Sequence, residues 1–505
     1  MDIPSLFMIP SAVSSGKVHS VFPNSTDADF NFNRDSSATR VNSQGLIETV
    51  GYFGSELVSN GNFTNGSSNW SLTSEGTITT NGANINNLIG GAISFLQQNN
   101  VTVIGRKYKL QYYIRENNSG SLKFNTAENA NLPIPSTVGV HTLFFTASLT
   151  EIIFARLSGS TDITIDDISI VEVTGDRARL NYEIEGGLVN TKPSLLLEPQ
   201  STNLITYSED YSQSSWNKLN AQVIRTVETS PDGNNTNVFN LTGTNGNLYV
   251  GATTGVEYTI SVYIKSNNKN KDKFKLRLGN NISSEYEATN EWIRYDFTST
   301  PTTGVLGITT SSSPDNEFDL LVWGFQLEQQ SYATSYIPTN GSTQTRAAET
   351  CNGAGTSSIF ESTKGILFCD ISSLADDLTN RIISISDGTS NNRVLILYQV
   401  VSNKIRGQFS VSGQSSKTID HIADTTQFRK IAFSWNSTSV KLYIDGQEIG
   451  ETTTGFTFSA NALSELAFDN VSGGEFYGKI RDIRVYNTKE MTDSEVDILL
   501  TKITS

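Results

Sequence analysis

The sequence predicts an all-β protein: three β-sandwich domains in series, with an extended N-terminal arm and a short C-terminal helix. Three observations predict it. A chain of 505 residues exceeds what one hydrophobic core organises, and about three domains is the expectation at that length. Charged residues make up 17% and hydrophobic ones 36%, with Asn, Ser, Thr and 39 Gly prominent in the rest. Thr, Val, Ile and aromatics suit a pleated surface, while Asn and Gly supply turn corners at positive φ. Short apolar runs also recur at regular spacing between turn residues, as sandwiches require.

The balance of charge narrows the partners. A formal net charge of −15 disfavours a phosphate backbone, so no nucleic acid is expected. The short basic run Asn267 to Lys275 reads as a solvated hairpin tip. No stretch has the length of a bilayer span, so no membrane insertion is expected. The opening "MDIPSLFMIPSAVSSG" lacks a positive n-region and is broken by prolines, so it is not read as a signal peptide, and synthesis in the cytoplasm is expected. A bridge between Cys351 and Cys369 is open, although Cys369 in "GILFCDIS" reads as a buried thiol.

Residues 1–55 form the arm. It carries several apolar groups but no core of its own, so Leu6, Phe7, Met8 and Ile9 are expected to anchor it on a neighbouring protein; the alternative is that they cap the protein's own first domain. Residues 56–173 and 203–349 hold two copies of one pattern, separated by a linker at 174–202. "ELVSNGNFTNGSSNW" matches "NLITYSEDYSQSSWN", and "YKLQYYIREN" matches "YTISVYIKSN". Tyr108, Leu110, Tyr112 and Ile114 share one strand face, as do Tyr258, Ile260, Val262 and Ile264, and both faces are predicted to line a core. The offset grows from 146 residues at Trp70 and Trp216 to 152 at Phe145 and Phe297, the mark of insertions in surface loops.

Residues 350–505 differ: six strand-like segments run from "GILFCDIS" to "VKLYIDGQEIGE". Asp445-Gly446 predicts a two-residue hairpin loop. Thr492 and Glu495 form a capping box, followed by Val496, Leu499, Leu500 and Ile503 at helical spacing, so a short amphipathic helix is expected on the sandwich.

Three resemblances bear on function. The two repeats, with their Leu-turn-aromatic-Trp openings and their closing strands "ITIDDISIVEV" and "LLVWGFQLEQ", resemble jelly-roll carbohydrate-binding modules. The order "KIAFSW", "VKLYIDG", "FYGKIRDIRVYN", "MTDSEVDILL" resembles a laminin-G or concanavalin-A-like domain. The phrases "DFNFNRDSSATRVNSQGLIETV", "RARLNYEIEGG" with "PSLLLEPQSTNLITYSE", and "SYATSYIPTNGSTQTRAAE" resemble a sequence found in bacteriophage virion proteins on fibres, spikes and tail surfaces. Residues 51–175 stand between two halves of that phrase, which implies that the first module is an insertion and that Ser36 to Val50 lies near Arg177 to Glu183. The resemblances imply a structural protein of the virion, made in the host cytoplasm, that attaches through host or environmental glycans and to other virion proteins through its arm, as a homo-oligomer. The alternative is a purely architectural decoration or cement protein that binds only other virion proteins.

No chemistry is expected. A retaining glycosidase needs two carboxyl groups about 5 Å apart, and Asp482 stands alone in "KIRDIRVYN". His19, His141 and His421 show neither metal spacing nor triad partners. No cofactor is required. The jelly-roll resemblance implies that a structural calcium would sit at Asp166 and Asp167, although Thr64 replaces the acidic residue of the pattern; solvent-facing strand acids are the alternative. Trp70, Trp216, Trp292, Trp323 and Trp435 could stack sugars, but their placement favours core packing.

Overall fold

The computed structural model describes the chain except residues 1–2, 15, 52, 74, 88–93, 128–131, 174–176, 235–236, 311–315 and 472, so the boundary expected after residue 173, and Asp176 with it, lies outside the described residues. The architecture is all-β with one C-terminal helix.

The first repeat is a sandwich of antiparallel strands. One layer runs Gly139–Thr146, Lys107–Ser119, Thr161–Val173, Gly82–Asn87, Ile78–Thr79; the other runs Leu132–Ile134, Leu122–Phe124, Ile152–Arg156, Phe95–Gln98, Ser71–Thr73. Tyr108, Leu110, Tyr112 and Ile114 are buried in its core, as their alternation predicts. The second repeat has the same strand order in its first layer: Ile293–Ser299, Tyr258–Ser266, Glu317–Glu328, Val238–Gly251, Asn217–Thr226. Here the long strand Val238–Gly251 passes between layers, pairing with Glu317–Glu328 through Thr244 and with Val305–Thr310 from Asn247. The two copies share a bulge as well. The closing strand slips register opposite Gln111/Tyr113 in one and Ser261/Tyr263 in the other, and left-handed residues stand there: Asp167 (φ 46°) and Gly324 (φ 66°).

The third sandwich pairs the layer Lys417–Ile422, Lys404–Ser410, Arg393–Tyr398, Arg381–Ser386, Glu465–Ala467 with a larger one. The larger layer is not made by the C-terminal residues alone. Strand Gly478–Asn487 meets Gly365–Ser373 on one side, and on the other it pairs with Ser194–Leu197 at residues 478–480 and with Leu6–Met8 at residues 483–485. Segments from the chain's beginning and middle therefore cover an otherwise unpaired edge. The arm expected over residues 1–55 is extended and lies on this sandwich: Leu6, Met8, Val18, Phe30 and Phe32 share one core with Leu367, Ile383 and Trp435. Cys351 and Cys369 are unpaired and buried there.

The local predictions for this domain appear as expected. Asp445 and Gly446 take φ of 49° and 83° between Ser439–Ile444 and Gln447–Thr453. The helix Asp493–Thr504 opens with the Thr492/Glu495 capping box, and Val496, Leu499 and Leu500 pack on the outer face of the larger sheet against Ile366, Phe368 and Tyr443, with Ile503 at the margin.

The three phrases meet. The hairpin Ala38–Val41/Ile47–Val50 receives the second phrase through Val41 N–H to Asn181 Oδ1 (2.9 Å), Tyr182 N–H to Val41 O (3.0 Å) and Arg179 Nη1 to Thr39 O (3.1 Å). Beneath it lies a buried cluster of three guanidiniums and two carboxylates. Glu349 accepts from Arg34 Nη1 (2.7 Å) and from both Nε and Nη2 of Arg179. Glu198 pairs with Arg179 Nη1 (2.7 Å) and Arg346 Nη1 (3.0 Å), and it also accepts from the amide and hydroxyl of Ser335. Each phrase contributes a charge that the others neutralise.

Candidate functional site

The two repeats differ on part of the outer face of the first layer that each contains. In the second repeat the part of that face around Trp323 is apolar and covered, with Leu321, Trp323 and Val238 packed against Tyr336 from the closing phrase and Ile47 from the opening hairpin, while beside it a groove of 560 Å³ opens over Gln222, Thr242, Lys271, Glu317 and Asp319. Ile47 N–H also donates to Pro231 O (2.9 Å). In the first repeat the equivalent strand carries Thr164 and Asp166, and beside them a groove of 490 Å³ opens over Thr79, Asn84, Arg115, Glu116 and Thr164.

Alternation places its side chains. Tyr112 and Ile114 point into the core, so Tyr113 and Arg115 point out. The Arg115 guanidinium stands 5.6 Å from the Tyr113 ring centre and pairs with Asp166 Oδ2, a bond that raises the guanidinium pKa and keeps it charged. Asn84 Nδ2 donates to Asp162 Oδ1 (2.9 Å) and Thr164 Oγ1 (3.2 Å), and Asn118 Nδ2 reaches Asp162 Oδ2 (3.2 Å). The second repeat reproduces the clasp: Asn240 and Asn267 both donate to Asp319 Oδ1, at 2.7 and 2.8 Å. The asparagines and the ring thus belong to the shared frame, Tyr263 standing where Tyr113 does but packed against the covered cluster, while Arg115 and Thr164 are particular to the groove of the first repeat. Such a surface can exchange hydrogen bonds with hydroxyls and lay a ring against an apolar patch.

The expected residues fall as follows. Asp166 is buried, with Arg115 on one oxygen and the Asp167 amide donating to the other (2.8 Å). Asp167 is exposed at the bulge, where an Asp tolerates the left-handed region better than most residues. Asn60 and Asn62 turn their amides to their own loop, on Asn65 N–H, Gly66 O and Thr64. These donors do not converge, a guanidinium already balances the buried charge, and no group of three or more His, Cys, Asp or Glu among the described residues is placed to hold a metal. The residues do not fit a calcium ion at Asp166 and Asp167.

Leu6 and Met8 are buried in the chain's own C-terminal sandwich, which corrects the assembly contact expected of them; Phe7 is half-buried under Arg484 (4.8 Å), and Ile9 is half-buried. Apolar arm residues gain the same burial from any exposed edge, and the nearest edge belongs to this chain. Trp70, Trp216, Trp323 and Trp435 are buried, and Trp292 packs at the covered face with Nε1 on Thr229 O.

Two readings of isolated residues change. Asp482 stands directly across from Asp370, whose carboxyl is pushed up to about 6 by burial and by the Asp482 charge, against the pull of Arg481; Asp482 itself is gripped by two nitrogens of Arg484. His19, expected to lack triad partners, has Ser14 and Asp29 at hydrogen-bond distance. The alternation around Tyr112 also sets Tyr113 outward, a ring beyond the five tryptophans.

Residues 371–497 match the family model described as the concanavalin A-like lectin/glucanases superfamily. No curated protein matches the chain. Among solved structures, the CBM40 module of the Ruminococcus gnavus IT-sialidase bound to α2,3-sialyllactose is 13% identical, with a TM-score of 0.25 over 29% of this chain and 92% of that one. Domain 4 of the Geobacillus stearothermophilus arabinanase AbnA, in complex with arabinotriose, is 16% identical, at 0.26 over 31% and 73%. The Pyrococcus furiosus endo-β-1,3-glucanase is 16% identical, at 0.23 over 29% and 69%. On an all-β frame, the chain carries a concanavalin-A-like domain at 371–497.

Proposed function

We propose that the chain is a bacteriophage virion structural protein, a fibre, spike or tail- or head-surface appendage, whose sandwiches attach the particle to host or environmental glycans. The observation that carries this reading is the contrast at equivalent positions of the repeats: Leu321 and Trp323 of one are covered within the chain, and the matching stretch of the other, Thr164 with Arg115, lines an open polar groove beside Tyr113. A pyranose presents hydroxyls to amides and an apolar face to a ring, which suits that surface. Separately, the C-terminal residues 371–497 match a superfamily description that includes lectins, which supports glycan attachment by that sandwich. The virion-like phrases support the setting, since their residues build the frame that holds the modules.

Shallow sugar sites bind weakly one at a time, and many copies per particle make attachment firm, so a homo-oligomer docked on other virion proteins belongs to the proposal. In this reading the sandwiches bind glycans without turning them over. Full-length protein, multimerised on beads and applied to a glycan array, is expected to retain a subset of glycans, and Tyr113→Ala is expected to lose them. No retention by the multimerised protein would overturn glycan attachment. Imaging of labelled protein on intact particles tests the virion setting.

The architectural reading rests on a different observation. Val138 and Val140 of the first repeat are 60% and 63% exposed, neighbouring apolar side chains that suit a contact with another protein. On that reading the protein assembles on particles even when Tyr113→Ala abolishes glycan retention, and Val140→Lys prevents assembly.

A further inference from the structure

The small N-terminal sheet assembles a side-chain relay that the proposed attachment does not use. Strands Val13–Ser14 and Lys17–Val18 form a tight hairpin with Gly16 in the left-handed region (φ 66°), and His19 follows directly. Asp29 ends the short turn Thr26–Ala28 and is held by the Ser20 amide on Oδ1 (2.9 Å). Its Oδ2 lies 2.8 Å from His19 Nδ1, and His19 Nε2 lies 2.8 Å from Ser14 Oγ. A carboxylate can only accept, so Asp29 fixes the ring proton on Nδ1 and leaves the Nε2 lone pair facing the serine hydroxyl. The Asp29 side chain is 10% exposed and the imidazole 38%, so the orienting group is sheltered while the base is reachable. Exposed Val21 and Phe22 follow in the chain.

We propose that Ser14, His19 and Asp29 form a nucleophilic triad that hydrolyses short-chain carboxylic esters. Hydrogen-bonded order and roles, not sequence position or fold, define such a constellation. Ser14 Oγ bonds to the ester carbonyl carbon as its proton passes to His19 Nε2, and the carbon–oxygen bond to the alcohol breaks as His19 returns that proton to the leaving oxygen. Water then attacks the acyl-serine, giving its proton to His19; the acid leaves and the proton returns to Ser14. No redox partner or metal enters this balance. Val21 and Phe22, exposed just after His19, offer a small apolar surface for a short acyl group. The proposal stands apart from glycan attachment and survives its failure.

The test uses the full chain with a fluorophosphonate, which phosphonylates activated serines, and with 4-nitrophenyl acetate. Intact mass and peptide mapping are expected to show one phosphonyl group per chain, on Ser14. Ser14→Ala should abolish both the adduct and ester turnover, and His19→Gln should slow labelling about 100-fold or more, the range of a lost general base. An unlabelled Ser14, or labelling as fast in His19→Gln as in the parent, overturns the triad. Should a variant lose its fold by circular dichroism, the adduct map of the unmutated chain decides alone.

Discussion

Arg179 and Glu349, 170 residues apart, face each other as a bidentate pair with neither side chain exposed to solvent. Between them in sequence lies the whole second repeat, so the pair fastens the two ends of that module to each other. Arg34 joins the same carboxylate from the start of the chain, and Arg346 and Glu198 extend the cluster. Deleting one member strands a charge in a place water does not reach. Arg179→Ala is expected to cost about 3–5 kcal/mol, and Arg179→Lys to fail as a rescue because an ammonium cannot pair with two oxygens in a plane. Urea unfolding monitored by tryptophan fluorescence checks both.

Acid and base should act on different carboxylates. Burial alone would raise Glu198 and Glu349, but Arg346 and Arg179 beside the first, and Arg179 and Arg34 beside the second, hold both below the usual range. A depressed folded-state value gives stability that is present above the unfolded value of about 4.3 and lost as pH falls through the folded value. Glu209 runs the other way: burial and then the Asp232 charge push it up to about 7, against its hydrogen bonds from Tyr336 and Asn237. Its contribution is full below about 4.3 and is lost as pH rises toward 7. The urea midpoint is therefore expected to fall between pH 5 and 7.5, with Asp370 contributing to the lower part of the decline, and Glu209→Gln to reduce the decline toward pH 7 while the acid limb stays. A decline unchanged in Glu209→Gln contradicts the assignment.

The C-terminal sandwich is expected to depend on the arm. Leu6→Ala and Met8→Ala each remove a fully buried side chain, at about 2–5 kcal/mol for such truncations. A fragment of residues 350–505 lacks both strands that pair with the free edge of Gly478–Asn487 and should self-associate, which sedimentation velocity reads directly. A monomeric fragment as stable as the full chain would contradict this dependence.

Calcium is expected to leave the first module unchanged. Its melting temperature should be the same in calcium and in chelator, because Arg115 already balances Asp166. Arg115→Ala should lower stability by about 1–3 kcal/mol by leaving that carboxylate without its charged partner. A chelator-sensitive parent would restore the ion.

Much of this was legible locally. The alternation at Tyr108 to Ile114, the Asp445-Gly446 loop and the Thr492/Glu495 cap each depend on residues a few positions apart, where backbone geometry alone sets which side chains meet. The repeat was visible too, because two copies of one sandwich need the same core faces. Its open groove was only half visible: Tyr113 and Arg115 are outward by alternation, but whether anything covers them is not a local property.

From the order of residues alone came the strands, the helix and the duplicated module. Only the closed chain decided that Leu6 lies against Val485, that Asp482 faces Asp370, that Ser14, His19 and Asp29 align, and that Arg34 is buried on Glu349 315 residues away. The reason is physical. Hydrophobic periodicity is a property of neighbours, whereas a buried charge or an apolar arm becomes favourable only when a distant segment supplies its partner, and that partner carries no mark of the pairing in its own stretch of sequence.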